Sequence, residues 1–184
     1  MRANNETRAE HPGGLPVTFS STSTSPSTSA TPQPSAPSDR NRLAAAVVLH
    51  DGRVLVVRRS LTERFLPGIW GVPCGKIAAG ESTEVAVLRE LHEETGLAGQ
   101  VVCAAGERSF VSEWDGRVVC NVQSNFLIRP LDFEIVLPEP DQEYRWLATA
   151  DLDHADLDEH NLGTIRQALA AQASNPLNRR SSQA

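Results

Sequence analysis

Between Gly75 and Leu97 the chain reads GKIAAGESTEVAVLRELHEETGL, and this stretch constrains its folding more tightly than any other. Ser82 to Glu94 contains no Pro or Gly and is mostly adequate helix formers, so it reads as a helix. Ser82 stands where an N-cap oxygen belongs, and Gly96 where a C-terminal cap belongs. On that helix Glu90, Glu93 and Glu94 fall at i, i+3 and i+4, so their carboxylates share one face. Val85, Leu88 and Leu91 fall roughly opposite, which predicts a core-facing stripe, with His92 on the apolar side as a structural residue. Like charges at this spacing weaken a bare helix, so a cation resting on them would explain the arrangement. Clustered carboxylate oxygens suit a hard divalent ion such as Mg2+, which also shares itself with phosphate oxygens. A solvated acidic face with Arg89 as a surface partner is the commoner fate of a Glu-rich helix, and three glutamates alone do not separate the two.

Composition narrows the remaining choices. A length of 184 residues predicts one domain of ordinary apolar content. A net charge of −6 supplies no basic field for nucleic acid, so none is expected as a partner. The acidity is local: from Asp132 to Glu159 the basic residues are Arg145 and His154. A polyanion would be repelled there unless metal ions intervene. The cysteines, Cys74, Cys103 and Cys120, form no C-x-x-C, which fits a reducing cytoplasm and offers no zinc or disulfide framework. No apolar run reaches transmembrane length, so no membrane partner is expected.

Along the chain, residues 1–41 differ from the rest. Thr18 to Ser38 is nearly all Ser, Thr, Pro and Ala, and reads as a disordered tail without a secretory h-region. The folded domain is expected over 42–172, with a flexible tail over 173–184. Leu43–Leu49 and Arg53–Arg58 read as hairpin strands around His50-Asp51-Gly52, followed by a loop over Ser60–Trp70. Gly99–Ala105 and Arg108–Glu113 read as separate strands; Asp115-Gly116 is a turn signal, and Arg117–Arg129 is a long strand. Leu131–Leu137 is ambiguous between strand and loop, Tyr144–Leu147 reads as a short strand, and Glu159–Ala171 as a helix with Leu162, Ile165 and Leu169 on one stripe. Strands with helices before and after predict an α/β fold, a mixed sheet between helical layers.

Gly75, Glu81, Arg89, Glu90, Glu93, Glu94 and Gly96, with Leu91 and Leu97 at the aliphatic positions, resemble the Nudix hydrolase (MutT-like) signature G-x5-E-x7-R-E-U-x-E-E-x-G-U without a departure. The flanks VLVVRRS, PGIWGVPCGKI and EYRWLATADL are similar to those of the family, and the likeness spans roughly Arg42 to Ala171. The resemblance implies an α/β/α sandwich and a pyrophosphohydrolase that cleaves a nucleoside diphosphate linked to another group X, using Mg2+ or Mn2+. It implies that Glu90, Glu93 and Glu94 ligate metal and that one of them, or a carboxylate on a later loop, takes the proton from water. It assigns Arg89 to holding the glutamates and Glu81 to supporting the loop or reaching an outer metal through water.

One position differs: the family usually has Gly-Gly where this chain has Cys74-Gly75. The carbonyl of residue 74 can still reach a metal, but its side chain restricts the backbone to negative φ. Packing is the default role for Cys74; a nucleophilic thiol would need an electropositive pocket. A supplementary carboxylate is expected before the short strand, Glu143 first and Glu139 second, each with a solvated surface role as the plain alternative. Arg58, Arg59, Arg64, Trp70, Trp146 and Lys76 are candidates to meet substrate phosphates or a base, against ordinary surface solvation or core packing. Nucleoside or deoxynucleoside triphosphates are the first substrate class, then ADP-ribose or a nucleotide sugar, then dinucleoside polyphosphates. A non-catalytic nucleotide-binding regulator is the alternative from another class. RNA-end processing is disfavoured by the missing basic patch. A homodimer is left open.

Overall fold

The computed structural model describes residues 40–64, 66–114 and 117–175. Strands β1 (Arg40–His50), β2 (Arg53–Arg58), β3 (Trp70–Gly71) and β4 (Cys74–Lys76) lead into helix α1 (Thr83–Thr95). Strands β5 (Gly99–Trp114), β6 (Arg117–Pro130) and β7 (Glu143–Ala148), a 3-10 turn over Thr149–His154, and helix α2 (Glu159–Ser174) complete the order. The seven strands form one mixed sheet with the path β3-β2-β1-β6-β5; β4 joins β1, and β7 joins β2. The β1–β6 pairing is parallel; the others are antiparallel.

The small β1 residues Ala44–Val48 are fully buried because both faces of this strand are covered. Ala44, Ala46 and Val48 point to one side, where they join Ala86, Val87 and Leu91 of α1 with Leu55, Phe126 and Ile128. Ala45 and Val47 point to the other, where they join Val54, Val56, Trp70 and Leu127 with Ile165 and Ala168 of α2. The period of two along β1 thus places each helix on its own face, giving the expected α/β layering.

Several local expectations change. β1 starts at Arg40 rather than near Leu43, because Arg40–Arg42 pair in register with Cys120–Val122 of β6 although their side chains are polar. The two strands expected over 99–113 are one strand with register shifts at Val101/Cys103 and Ala104/Glu107. Gly106 sits at φ 87 in the second irregularity, between the two expected strands. Trp70–Gly71 and Cys74–Lys76 add to the sheet, although Pro73 and two Gly gave them a loop's composition. Residues 131–137 form no regular element but cross the end of α1, with Val136 N–H donating to Thr95 O at 2.9 Å. α2 runs three residues beyond Ala171. The tail over 1–39 and the Asp115-Gly116 turn lie outside the described residues.

The core stripe of α1 is also rotated from the one expected. Val85 is 58% exposed, whereas Ala86, Val87 and Leu91 are buried and Leu88 is partly so. His92 is exposed, with Nδ1 3.1 Å from the carbonyl of Gly96, so it serves the helix end rather than the core. A 3.6-residue turn that buries Val87 and Leu91 directs Val85 and His92 away from the sheet. Leu91→Ala is therefore expected to lower stability by about 2–5 kcal/mol. Val85→Ala should stay within about 0.5 kcal/mol. Urea denaturation of the two variants distinguishes them.

Candidate active site

Helix α1 is capped as its sequence suggests. Ser82 Oγ accepts from Val85 N–H at 3.3 Å, and Gly96 adopts φ 74 at the C-terminus. Within that frame Arg89 gathers the acidic residues. Its Nε and Nη2 donate to the two oxygens of Glu81, both at 2.9 Å. Nη1 donates to Glu90 Oε1 at 2.7 Å and to Glu93 Oε2 at 2.9 Å. Nη2 also reaches the carbonyl of Lys76 at 2.9 Å, tying the helix to the end of β4. Charge-assisted bonds of this forked kind fix orientation as well as energy. They hold the Glu81 carboxyl at a pKa of about 2, first through Arg89 and then through the Ala78 N–H, and raise the pKa of Arg89.

Glu94 is held differently. Its Oε2 accepts from the backbone N–H of Cys74 at 3.1 Å. Burial raises its pKa from an ordinary 4.5 to about 8, against the opposing effects of that amide and of Arg59. Gly75 has a steric role here. A Cβ on it would lie 1.8 Å from Glu90 Oε2, so glycine leaves the Glu90 carboxylate free to sit where it does against β4. Residues 74 and 75 are not among those with positive φ, so the Cys-Gly pair meets no backbone obstacle. The Cys74 thiol donates to Gln123 Oε1 at 3.5 Å, and burial followed by the nearby Glu94 and Glu90 carboxylates raises its pKa strongly. This is the setting of an inert packed thiol rather than a nucleophile.

α1 and β4 therefore bring together Glu81, Arg89, Glu90, Glu93, Glu94, Cys74 and the backbone of Lys76. Other candidates sit apart. Glu143 pairs with Arg58 at 2.6 Å and approaches Arg145 at 3.9 Å on the β2–β7 edge, and none of these contacts involves an α1 carboxylate. Glu139 is an exposed loop residue. Arg59 is the exception: it pairs with Glu63, and its charge reaches Glu94 and Cys74. Trp70 is only 7% exposed, lies in the α2-side core, and carries the Arg145 guanidinium 4.2 Å from its ring centroid. Trp146 is partly buried against the α1-side core.

Two features escaped the sequence reading. Asp141 ties the 60–64 loop down, accepting from Ser60 Oγ at 3.0 Å and Leu61 N–H at 2.8 Å, and these bonds lower its pKa. Behind Cys74, the buried Gln123 also meets Asn125 at 2.7 Å, Thr164 at 3.2 Å and His160 at 3.1 Å. The alternation of Asn121, Gln123 and Asn125 was the available signal for this polar row.

Among the described residues no three acidic, His or Cys side chains stand ready-gathered for a metal ion, because Glu90 and Glu93 each turn an oxygen to Arg89. The donor chemistry nevertheless fits a hard divalent cation. All the donors are carboxylate oxygens, and each of these three glutamates keeps one oxygen outside the bonds described. The partly buried Glu94, whose charge burial disfavours, would be compensated by such an ion.

The family model described as NUDIX domain matches residues 40–168. The chain belongs to the Nudix hydrolase family. Over 116 residues, 59% of the chain, it is 33% identical to an isopentenyl-diphosphate Delta-isomerase of Brevibacterium linens and spans 62% of that protein's length. The crystal structure of a MutT Nudix hydrolase from Burkholderia pseudomallei superposes with a TM-score of 0.59 at 26% identity, covering 70% of this chain and 98% of that one. The Nudix domain of Shewanella oneidensis NrtR, solved with ADP ribose, superposes with a TM-score of 0.53 at 24% identity, covering 72% of this chain and 88% of that one, and shows the fold.

Two outcomes follow from the site's packing. Gly75→Ala is expected to push the Glu90 carboxylate off Arg89 at a cost of about 1 kcal/mol or less, measurable by urea denaturation. The raised pKa of Glu94 means that folding favours its protonated form, so its contribution to stability is fully present below about pH 4.5 and is lost as pH rises through about 8. In EDTA, the Tm of the wild-type protein should fall between pH 5 and pH 9 by more than that of Glu94→Gln, whose side chain carries no proton to lose.

Proposed function

We propose that this chain is a divalent-metal-dependent pyrophosphohydrolase acting on a small-molecule nucleoside diphosphate derivative, with Mg2+ as the natural ion and Mn2+ able to substitute. The observation that carries this reading is the Arg89-centred array: one guanidinium orients Glu81, Glu90 and Glu93, while Glu94 is held separately by the β4 amide. Glu90, Glu93 and Glu94, with the carbonyl of Cys74, would hold the ion, and Glu81 would support it from outside. Bound there, the ion would neutralise charge on the diphosphate. Phosphoryl transfer to water requires an oriented nucleophile and stabilised negative charge. Burial raises the proton affinity of Glu94, which would take the proton that water loses. Arg89 acts as a positioning residue, fixing the directions of Glu90 and Glu93 while its forked bond keeps Glu81 ionised.

Nucleoside or deoxynucleoside triphosphates are the first substrate class; ADP-ribose, the ligand of the NrtR domain, and nucleotide sugars are the alternative. The likeness to the Brevibacterium isomerase supports a second reading, in which the diphosphate belongs to an isopentenyl group and the reaction is an isomerisation.

A hydrolysis panel decides among them. Nucleoside triphosphates, ADP-ribose, nucleotide sugars and isopentenyl diphosphate are incubated with the full chain and Mg2+ or Mn2+ in 18O-labelled water, and the products are separated by chromatography. Hydrolysis of a nucleotide with 18O in one product is expected, and the label reports the attacked phosphorus. Isomerised isopentenyl diphosphate would support the second reading, and tight nucleotide binding without turnover would make the chain a non-catalytic binding module. Glu93→Gln should lower kcat by at least about a hundredfold. Arg89→Lys, which cannot reproduce the forked bonds, should lower activity about 10–100-fold. Full activity in Glu93→Gln would sink the hydrolase reading.

A further inference from the structure

On the α1 side of the sheet, next to the carboxylate array, lies an open cavity of about 600 Å3. One wall is the start of β1, with Arg40 and Arg42; the other is the turn from Lys76 through Gly80 to Ser82. Arg40 and Arg42 are two residues apart on β1, so they share the face that continues into Ala44 and Ala46. Both are exposed, and neither side chain makes a hydrogen bond or ion pair among the described residues. The turn is fixed on the side facing them: Ile77 N–H donates to Arg42 O at 3.0 Å, and Glu81 N–H to Ala78 O at 3.1 Å. A Cβ added to Gly80 would meet nothing within 4 Å, so this wall opens to solvent.

The charge balance of this cavity is unlike that of the chain, which carries −6 overall. Arg40, Arg42 and Lys76 line it, and its acidic lining residue, Glu81, is already matched by both arms of Arg89. Ser82 brings the N-terminal end of the thirteen-residue α1 to the rim, where the helix field favours an anion, although Glu84 in the first turn offsets part of it. Paired guanidinium groups with no protein acceptor fit the tetrahedral, multiply charged oxygens of phosphate.

We propose that this cavity is a second anion site, which takes a phosphate-rich group through Arg40 and Arg42 without the α1 carboxylates. The group is a diphosphate, either carried by a nucleotide or present as inorganic pyrophosphate. Because the site is made by β1 and the 76–82 turn, it binds whether or not the neighbouring glutamates catalyse hydrolysis.

Calorimetry on the full chain in EDTA tests this, with inorganic pyrophosphate in one arm and ADP in the other. Saturable binding with a Kd of about 0.1–1 mM at low salt is expected, weakening as salt rises. The double substitution Arg40→Ala/Arg42→Ala should weaken binding at least about tenfold. Arg53→Ala, which removes an exposed arginine at the far end of the β1–β2 hairpin, should leave it within about twofold and controls for net charge. Glu93→Gln should bind as well as the wild type, which separates this site from the hydrolytic reading. Tighter binding of ADP than of pyrophosphate assigns the site to a nucleotide, and the reverse assigns it to the free anion. Absence of saturable binding by either ligand, or an equal loss in Arg53→Ala, overturns the proposal.

Discussion

One guanidinium orders most of the carboxylate face, Glu81, Glu90 and Glu93, while Glu94 rests on the Cys74 amide. Three glutamates one turn apart would repel one another and splay, and the helix would be weaker for carrying them. Arg89 converts that repulsion into order by binding Glu81 with two donors and Glu90 and Glu93 with a third. Its remaining bond, to the Lys76 carbonyl, makes the turn before α1 part of the same unit. These bonds are only partly shielded from water, so their worth lies more in direction than in net stability.

The strand beside the helix completes this arrangement. Pairing of Ala44 with Gly75 and Ala45 with Cys74 stitches β4 to the most buried part of β1. That register places the Cys74 amide on Glu94 and the bare α-carbon of Gly75 against Glu90. The Cys74 thiol faces the other side of the sheet and ends in a buried polar row that reaches α2 through His160 and Thr164. One short strand thus joins the acidic face to both helices.

The sequence made the array legible because its parts are local. Glu90, Glu93 and Glu94 are neighbours by helical period, and Ser82 and Gly96 are caps with recognisable chemistry. The layering was legible too, since the alternation in β1 and the stripe in α2 need only the sequence pattern. What escaped depends on partners distant in the chain. Arg40–Arg42 is a strand only because β6 lies alongside, and Trp70–Gly71 and Cys74–Lys76 belong to the sheet only because β2 and β1 accept them. Which face of α1 meets the sheet follows from that packing, and Val87 rather than Val85 turns inward. Glu143 had the right charge and a plausible place in the chain, but its nearest cations are Arg58 and Arg145.

The run of three alanines in β1 has a wider consequence. Ala44 and Ala46 keep α1 close to the sheet, and Ala45 occupies the opposite face toward α2; all three are fully enclosed. Close-packed interiors transmit added volume instead of absorbing it. A bulkier residue at Ala44 or Ala46 would lift the whole acid-bearing helix off its bed, carrying Glu94 away from the amide that steadies it. A change of volume in this buried strand is therefore felt at the carboxylate face on the outside of the molecule.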